Sequence, residues 1–193
     1  FSDLGNNKFG FGVADVSGKG IKSSLLMSKA SSLYRCLSKT IFSASSLLKI
    51  LNDEICETTS RGMFVTMIVG VYDKNKNELL LSNAGHEPPL IFSKDGNFKT
   101  IDEAGPPLGI APNFKFTEQT ISFKESSMYI FTDGITEMKN NNGEMLGQEG
   151  FQDYIKKYQS TPNNKRLQKM IEDLISSGRI QKDDLTIVTV DGK

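Results

Sequence analysis

Broad charge asymmetry is missing from this 193-residue chain, in which 23 Lys and Arg residues balance 23 Asp and Glu residues. Without a net field nothing draws in nucleic acid or an anionic membrane surface, so any electrostatic function is local. Long apolar runs are lacking too. None approaches the ~20 residues of a bilayer-spanning helix, and the N-terminus has no basic-then-apolar stretch of the kind that directs secretion. These absences predict a soluble, cytoplasmic domain that contacts neither nucleic acid nor membrane. Cysteine is scarce: Cys36 and Cys56 both fall in helical patterns without CxxC or Cys/His spacing, which predicts reduced packing thiols rather than a disulfide. Histidine is scarcer still, with His86 alone. No repeat, low-complexity segment or interdomain linker interrupts the sequence. At this length, with 37% hydrophobic residues, one sizeable domain can remove roughly 70% of the unfolded chain's surface from water.

What is present is a patterned mixture of helix and strand. "KFGFGVADV", Lys8 to Val16, reads as a strand closing at Asp15, followed by the Gly-rich turn "SGKG". Apolar residues then recur at helical spacing twice, through Leu26, Ala30, Leu33 and Leu37, and through Leu47, Leu48, Leu51 and Ile55 between Ala44 and Thr58. The texture changes to short β-type runs: "MFVTMIVGVY", "ELLLSNAG", "PPLIF", "FKTI", "FKFTEQTISF" and "SMYIFTDG". "DKNKN", Asp73 to Asn77, reads as a hairpin loop. Two helices return around Phe151–Tyr158 and Leu167–Ile175, the second opened by Thr161-Pro162 and closed by Gly178; "LTIVTV", Leu185 to Val190, ends the series. Blocks of helices flanking hairpin-connected strands predict an α+β fold with antiparallel sheets, not alternating βαβ units.

Acidic residues mark the ends of several strands: Asp15 after "FGVA", Asp133 after "MYIFT", and Asp183-Asp184 before "LTIVTV". A single aspartate beside glycine is ordinarily a turn residue. Several at strand ends can converge, and converging carboxylates repel unless protons or a cation neutralise them. With no cysteine pair and one histidine, all-oxygen ligation favours Mg²⁺ or Mn²⁺ over zinc. Two such ions roughly 3.5–4 Å apart would acidify a water for in-line attack on phosphorus. "SGKG" does not make a P-loop, because Gly12 to Gly18 encloses five residues and Gly20 stands where Ser or Thr should follow the lysine. The glycines read as a tight turn, and Lys19 as either solvent-exposed or phosphate-contacting. His86, before the stiff Glu87-Pro88-Pro89 turn, reads as a hydrogen-bonded loop residue.

Taken in order, "ADVSGKG", "NAGHEPPL", "GPPLG", "TDGITE...NNGEMLG" and "DDLTIV" resemble the SpoIIE-like, RsbU-like phosphatases of the metal-dependent type 2C (PPM) protein phosphatase family. The resemblance runs from about Phe9 to Val190 and implies a four-layer αββα sandwich, with two central mainly antiparallel sheets holding a binuclear Mn²⁺/Mg²⁺ centre. By motif it implies that Asp15 bridges both ions, that the Val16 carbonyl is a further ligand, and that Asp133 and Asp183 complete the first ion's shell. Asp184 would support from behind, and Glu137 would serve a weaker third ion. The implied reaction is hydrolysis of phosphoserine or phosphothreonine by metal-activated water. The implied substrate is a phosphorylated STAS-type anti-sigma-factor antagonist, with a sensor or receiver domain upstream in the full-length protein.

Two departures from the pattern matter. The family's first strand carries GGD followed two residues later by another Asp, and the GGD aspartate serves the second ion. This chain opens "FSD", with Asp3 as the second aspartate only, which predicts a single domain over residues 1–193 lacking its first strand and GGD motif, with a weak or absent second metal site. The alternative that follows is a phosphatase-fold module that binds a regulatory partner without turnover. Larger relatives place a candidate general-acid histidine two residues after the bridging aspartate, where this chain has Ser17. Met27, Leu33 and Leu37 read as core; the resemblance also implies a response of that helix to a regulatory domain.

Overall fold

Alternating residues in the predicted strands, and apolar stripes in the predicted helices, sort the chain into the elements of the computed structural model, which describes residues 1–59 and 62–192. In chain order they are β1 (Ser2–Asp3), β2 (Lys8–Val16), α1 (Ile21–Leu37), α2 (Ala44–Thr58), β3 (Val65–Asp73), β4 (Glu78–Ala84), β5 (Leu90–Ser93) and β6 (Phe98–Thr100). There follow β7 (Gln119–Ser122), β8 (Ser126–Phe131), the single turn α3 (Asp133–Thr136), α4 (Gly147–Lys157), α5 (Asn163–Ser176) and β9 (Ile187–Asp191). The chain divides into two compact units, one built on Phe1–Pro88 and Asp102–Ser126, the other on Pro89–Ile101 and Ser127–Asp191.

The first unit is a five-stranded sheet in the order β1-β2-β3-β4-β7, every neighbouring pair antiparallel. Its register decides which residues meet the helices. Ala14 lies opposite Met67 and Val16 opposite Val65, and all four pack with Leu26, Ala30 and Tyr34 of α1 and Leu47, Leu48, Leu51 and Ile55 of α2. Because side chains alternate across a strand, the next pair in register, Asp15 and Thr66, is turned to the face away from α1 and α2. The Ser43 hydroxyl caps α2 by accepting from the Ser46 N–H at 3.2 Å. Phe114 and Phe116, which the sequence pattern places in a strand, instead stack edge-on at 5.0 Å and pack into the helix-side core; this leaves only Gln119–Ser122 to pair with β4.

The second unit is a four-stranded sheet in the order β6-β5-β8-β9. Tyr129 and Phe131 of β8 pack with Leu90 of β5, Phe151 and Ile155 of α4, and Met170 and Leu174 of α5. The helix–strand mixture and antiparallel pairing are those of the expected α+β fold. Both cysteines are free thiols; Cys56 is half-buried, but Cys36 faces outward from α1 rather than packing. Among the described residues no helix is long and apolar enough to cross a membrane.

Candidate active site

The first unit supplies Asp15 and Val16 at the end of β2. The turn after them is pinned to β3: the Ser17 N–H donates to the Phe64 carbonyl at 3.0 Å, the Phe64 N–H donates to the Ser17 hydroxyl at 2.8 Å, and Ser23 of α1 donates to the Ser17 carbonyl at 3.1 Å. In an antiparallel ladder a residue's N–H and C=O point to the same side and alternate along the strand. Ser17 and Asp15 thus address β3, and the Val16 carbonyl points away from it, toward the side where β1 pairs only with Phe9 and Gly10.

Across the ladder from Asp15, the Thr66 hydroxyl stands 3.4 Å from the Asp15 carbonyl oxygen and 3.1 Å from Nδ1 of His86. His86 is buried, at 5% exposure. Its backbone is clamped by Asn83, whose Oδ1 accepts from the His86 N–H at 2.8 Å and whose Nδ2 donates to the His86 carbonyl at 3.0 Å. Gly85 completes this turn at φ +69, where a Cβ would lie 2.7 Å from the Pro107 ring, so only glycine fits both the dihedral and the space. The "NAGH" and "GPPLG" segments are thereby interlocked, with the Gly105 N–H donating to the Asn83 carbonyl at 2.8 Å and Leu108 bridged to Val65.

The second unit supplies Asp133, Glu137, Asp183 and Asp184. Thr132, buried at the end of β8, donates through Oγ1 to the Asp184 carbonyl at 3.1 Å and accepts from the Thr186 N–H at 3.2 Å. Asp133 then opens α3, and its carbonyl accepts from the Glu137 N–H at 2.8 Å. Gly134 lies directly against the Asp184 carbonyl. On the facing turn, Asp183 Oδ1 accepts from the Asp184 N–H at 3.0 Å. Two motifs far apart in sequence are therefore joined backbone to backbone within this unit, carrying Asp133 beside the Asp183-Asp184 turn.

All five candidate carboxylates, Asp15, Asp133, Glu137, Asp183 and Asp184, are solvent-exposed. Among the described residues no group of three or more His, Cys, Asp or Glu side chains stands together in a way that could hold a metal ion. The candidates divide between the units, two positions in the first and four in the second. Sequence reasoning did not single out Thr66 or Thr132. A threonine in a strand is an ordinary β-former, and only the register shows which backbone each hydroxyl reaches.

Comparison with known proteins decides the family. The model of the stage II sporulation protein E (SpoIIE) family matches residues 5–193. The chain belongs to the SpoIIE family. Among curated proteins this SpoIIE domain is 29% identical over 181 residues to phosphoserine phosphatase RsbU of Bacillus subtilis, a match covering 92% of this chain and 54% of RsbU. The domain thus spans about half the length of that relative. Among solved structures it resembles the RsbU and RsbW domains of Rv1364c from Mycobacterium tuberculosis, with TM-score 0.81, 22% identity, and coverage of 95% of this chain and 51% of that one. It also resembles RsbX in complex with magnesium, with TM-score 0.72, 18% identity, and coverage of 98% and 82%. The fold is that of these two structures and of the PP2C phosphatase domain of SpoIIE from Bacillus subtilis, with TM-score 0.79, 18% identity, and coverage of 97% of this chain and 56% of that one.

Proposed function

We propose that this SpoIIE domain, over residues 1–193, is a cytoplasmic, divalent-metal-dependent phosphatase acting on phosphoserine or phosphothreonine in a protein. Asp15, the Val16 carbonyl, Asp133 and Asp183 would hold Mn²⁺ or Mg²⁺, with Asp184 supporting and Glu137 at a weaker third position. The exposed donor set is all oxygen, which suits hard cations. Such ions supply Lewis acidity, polarising phosphoryl oxygens and lowering the pKa of water. The chain's own contribution is positional: the ladder turns the Val16 carbonyl outward from β3, and Thr132 fixes Asp133 against the Asp183-Asp184 turn.

The observation that carries this reading is the seam at Thr132, Gly134 and Asp184, since it gives the carboxylates of two distant motifs a common backing. Family membership and the phosphoserine phosphatase relative support the chemistry. The RsbU relative and the fold likeness to linked RsbU and RsbW domains support a place in partner switching, with a phosphorylated STAS-type antagonist as substrate. RsbU's greater length leaves room for an upstream sensor or receiver domain.

The test is Mn²⁺-dependent release of phosphate from an aryl phosphate and from a phosphorylated STAS protein. Asp15→Asn and Asp133→Asn are expected to lower it by about 100-fold or more. Equal rates in all three proteins would remove both residues from the mechanism. Calorimetry showing no Mn²⁺ uptake by the intact domain would instead favour a module that binds a partner without turnover.

A further inference from the structure

We propose that His86 is a positioning residue for the Asp15–Val16 peptide, acting through the Thr66 hydroxyl; the inference rests on the metal-dependent phosphatase reading. A carbonyl only accepts, so the single Thr66 hydroxyl proton goes to the Asp15 oxygen, and the Thr66 oxygen then accepts from His86. That arrangement assigns the imidazole proton to Nδ1, 3.1 Å from Thr66. The 3.4 Å contact to Asp15 is long for a hydroxyl donor, and an unanchored threonine would be free to rotate out of it. His86 prevents this by holding the oxygen from behind.

The imidazole can do so because it is fixed before any ligand arrives. Its backbone is gripped on both sides by Asn83, its neighbour Gly85 is wedged against Pro107, and the ring is buried. Every link in the series from Asn83 through His86 and Thr66 to Asp15 lies in the first unit. It ends on the carbonyl of the peptide that joins the two candidate ligands of this unit, Asp15 and Val16, and adds a side-chain contact to the ladder pairing of Asp15 with Thr66. Outer partners that orient metal ligands typically change affinity or activity 10–100-fold when removed.

The experiment compares Thr66→Val, Thr66→Ser, His86→Ala, His86→Asn and the Thr66→Val/His86→Ala double variant. Mn²⁺ affinity is read by calorimetry, phosphate release by kcat and KM, and folding by the melting temperature. Thr66→Val, nearly isosteric, is expected to weaken Mn²⁺ binding roughly 10-fold or more while still folding. His86→Ala is expected to match it, the double variant to be no worse than either single one, and Thr66→Ser and His86→Asn, whose amide nitrogen takes the place of Nδ1, to restore binding. If Thr66→Val and His86→Ala lower only the melting temperature, or if their effects on binding simply add, the proposal is overturned and the phosphatase reading stands. If the unaltered domain takes up no Mn²⁺, both fall together.

Discussion

Gly134 lies so close to the Asp184 peptide that a Cβ added to it would overlap the Asp184 carbonyl oxygen and come within 3.5 Å of the Asp183 carbonyl carbon. Its φ is not in the left-handed region, so space alone excludes a side chain. The obstacle is backbone, fixed by Thr132 through the Asp184 carbonyl and the Thr186 N–H, and it cannot move aside as a flexible side chain would. Gly134→Ala is expected to destabilise by about 1–3 kcal/mol, at roughly 2–4 °C of Tm per kcal/mol for a chain of this size. The same variant is expected to weaken Mn²⁺ binding, because Asp133 moves with its neighbour. Calorimetric melting and Mn²⁺ titration read both, and an unchanged Tm would mean that the seam yields.

Arg166 anchors α5 from inside the second unit. It is 5% exposed, its guanidinium is paired with Asp191, and its central carbon lies 5.5 Å from the centroid of the Tyr129 ring. Asp191 also accepts from the Ser127 hydroxyl at 2.5 Å. Removing one partner of a buried pair strands the other charge, which typically costs about 3–5 kcal/mol, whereas replacing both with apolar residues is often neutral. Asp191→Leu is therefore expected to be strongly destabilising, and Arg166→Met combined with Asp191→Leu to recover most of the loss. Urea unfolding of the three proteins decides it; a double variant weaker than the single would count against the stranded-charge explanation.

The parts of this fold that show in the sequence are those with a long period. Four apolar residues from Leu47 to Ile55 specify α2, and the structure has it at Ala44–Thr58 as read. The alternating run from Lys8 gives β2 in the same way. Short features do not show: α3 is one turn of four residues, too brief for any periodicity, and the aromatic run at Phe114 and Phe116 has strand composition but finds its burial in the helix-side core. In the candidate site the aspartates stand out, because carboxylates at strand ends are unusual enough to ask about. The threonines that fix them, Thr66 and Thr132, stay hidden, since their role depends on cross-strand neighbours that only folding specifies.

Alkaline titration tests the burial of two phenols. Burial pushes Tyr34 and Tyr129 up from 10.0 to about 12, because the phenolate loses its hydration. In the unfolded chain both ionise near 10. The native state keeps protons that the unfolded state has released, so the stability due to these groups is complete below pH 10 and is lost as pH rises from about 10 toward 12. Tyrosinate absorbance followed alongside circular dichroism is expected to show Tyr34 and Tyr129 ionising late, or together with alkaline unfolding. Tyr34→Phe and Tyr129→Phe are each expected to remove one late-ionising group. Titration of all five tyrosines in one step near 10, with the fold intact, would contradict the buried environment.

Asn52 is the point where α2 holds the loop after "GPPLG". It is fully buried; its Nδ2 donates to the Ala111 carbonyl at 2.8 Å, and its Oδ1 accepts from the Gly109 N–H at 3.0 Å. Its neighbour Asp53 accepts from the Asn113 N–H at 2.9 Å, so α2 grips the loop backbone at three alternate residues, Gly109, Ala111 and Asn113. Asn52→Leu fills the volume but leaves a donor and an acceptor without partners, each costing about 1–3 kcal/mol when buried. The expected loss is about 2–4 kcal/mol, concentrated in the loop. Native-state hydrogen exchange separates this from a general weakening: the Gly109 amide is expected to exchange much faster in the variant, while amides of β8, in the other unit, change only as far as global stability requires. Uniform acceleration across both units would place the damage in the core packing around Leu51 and Ile55 instead of at the loop anchor.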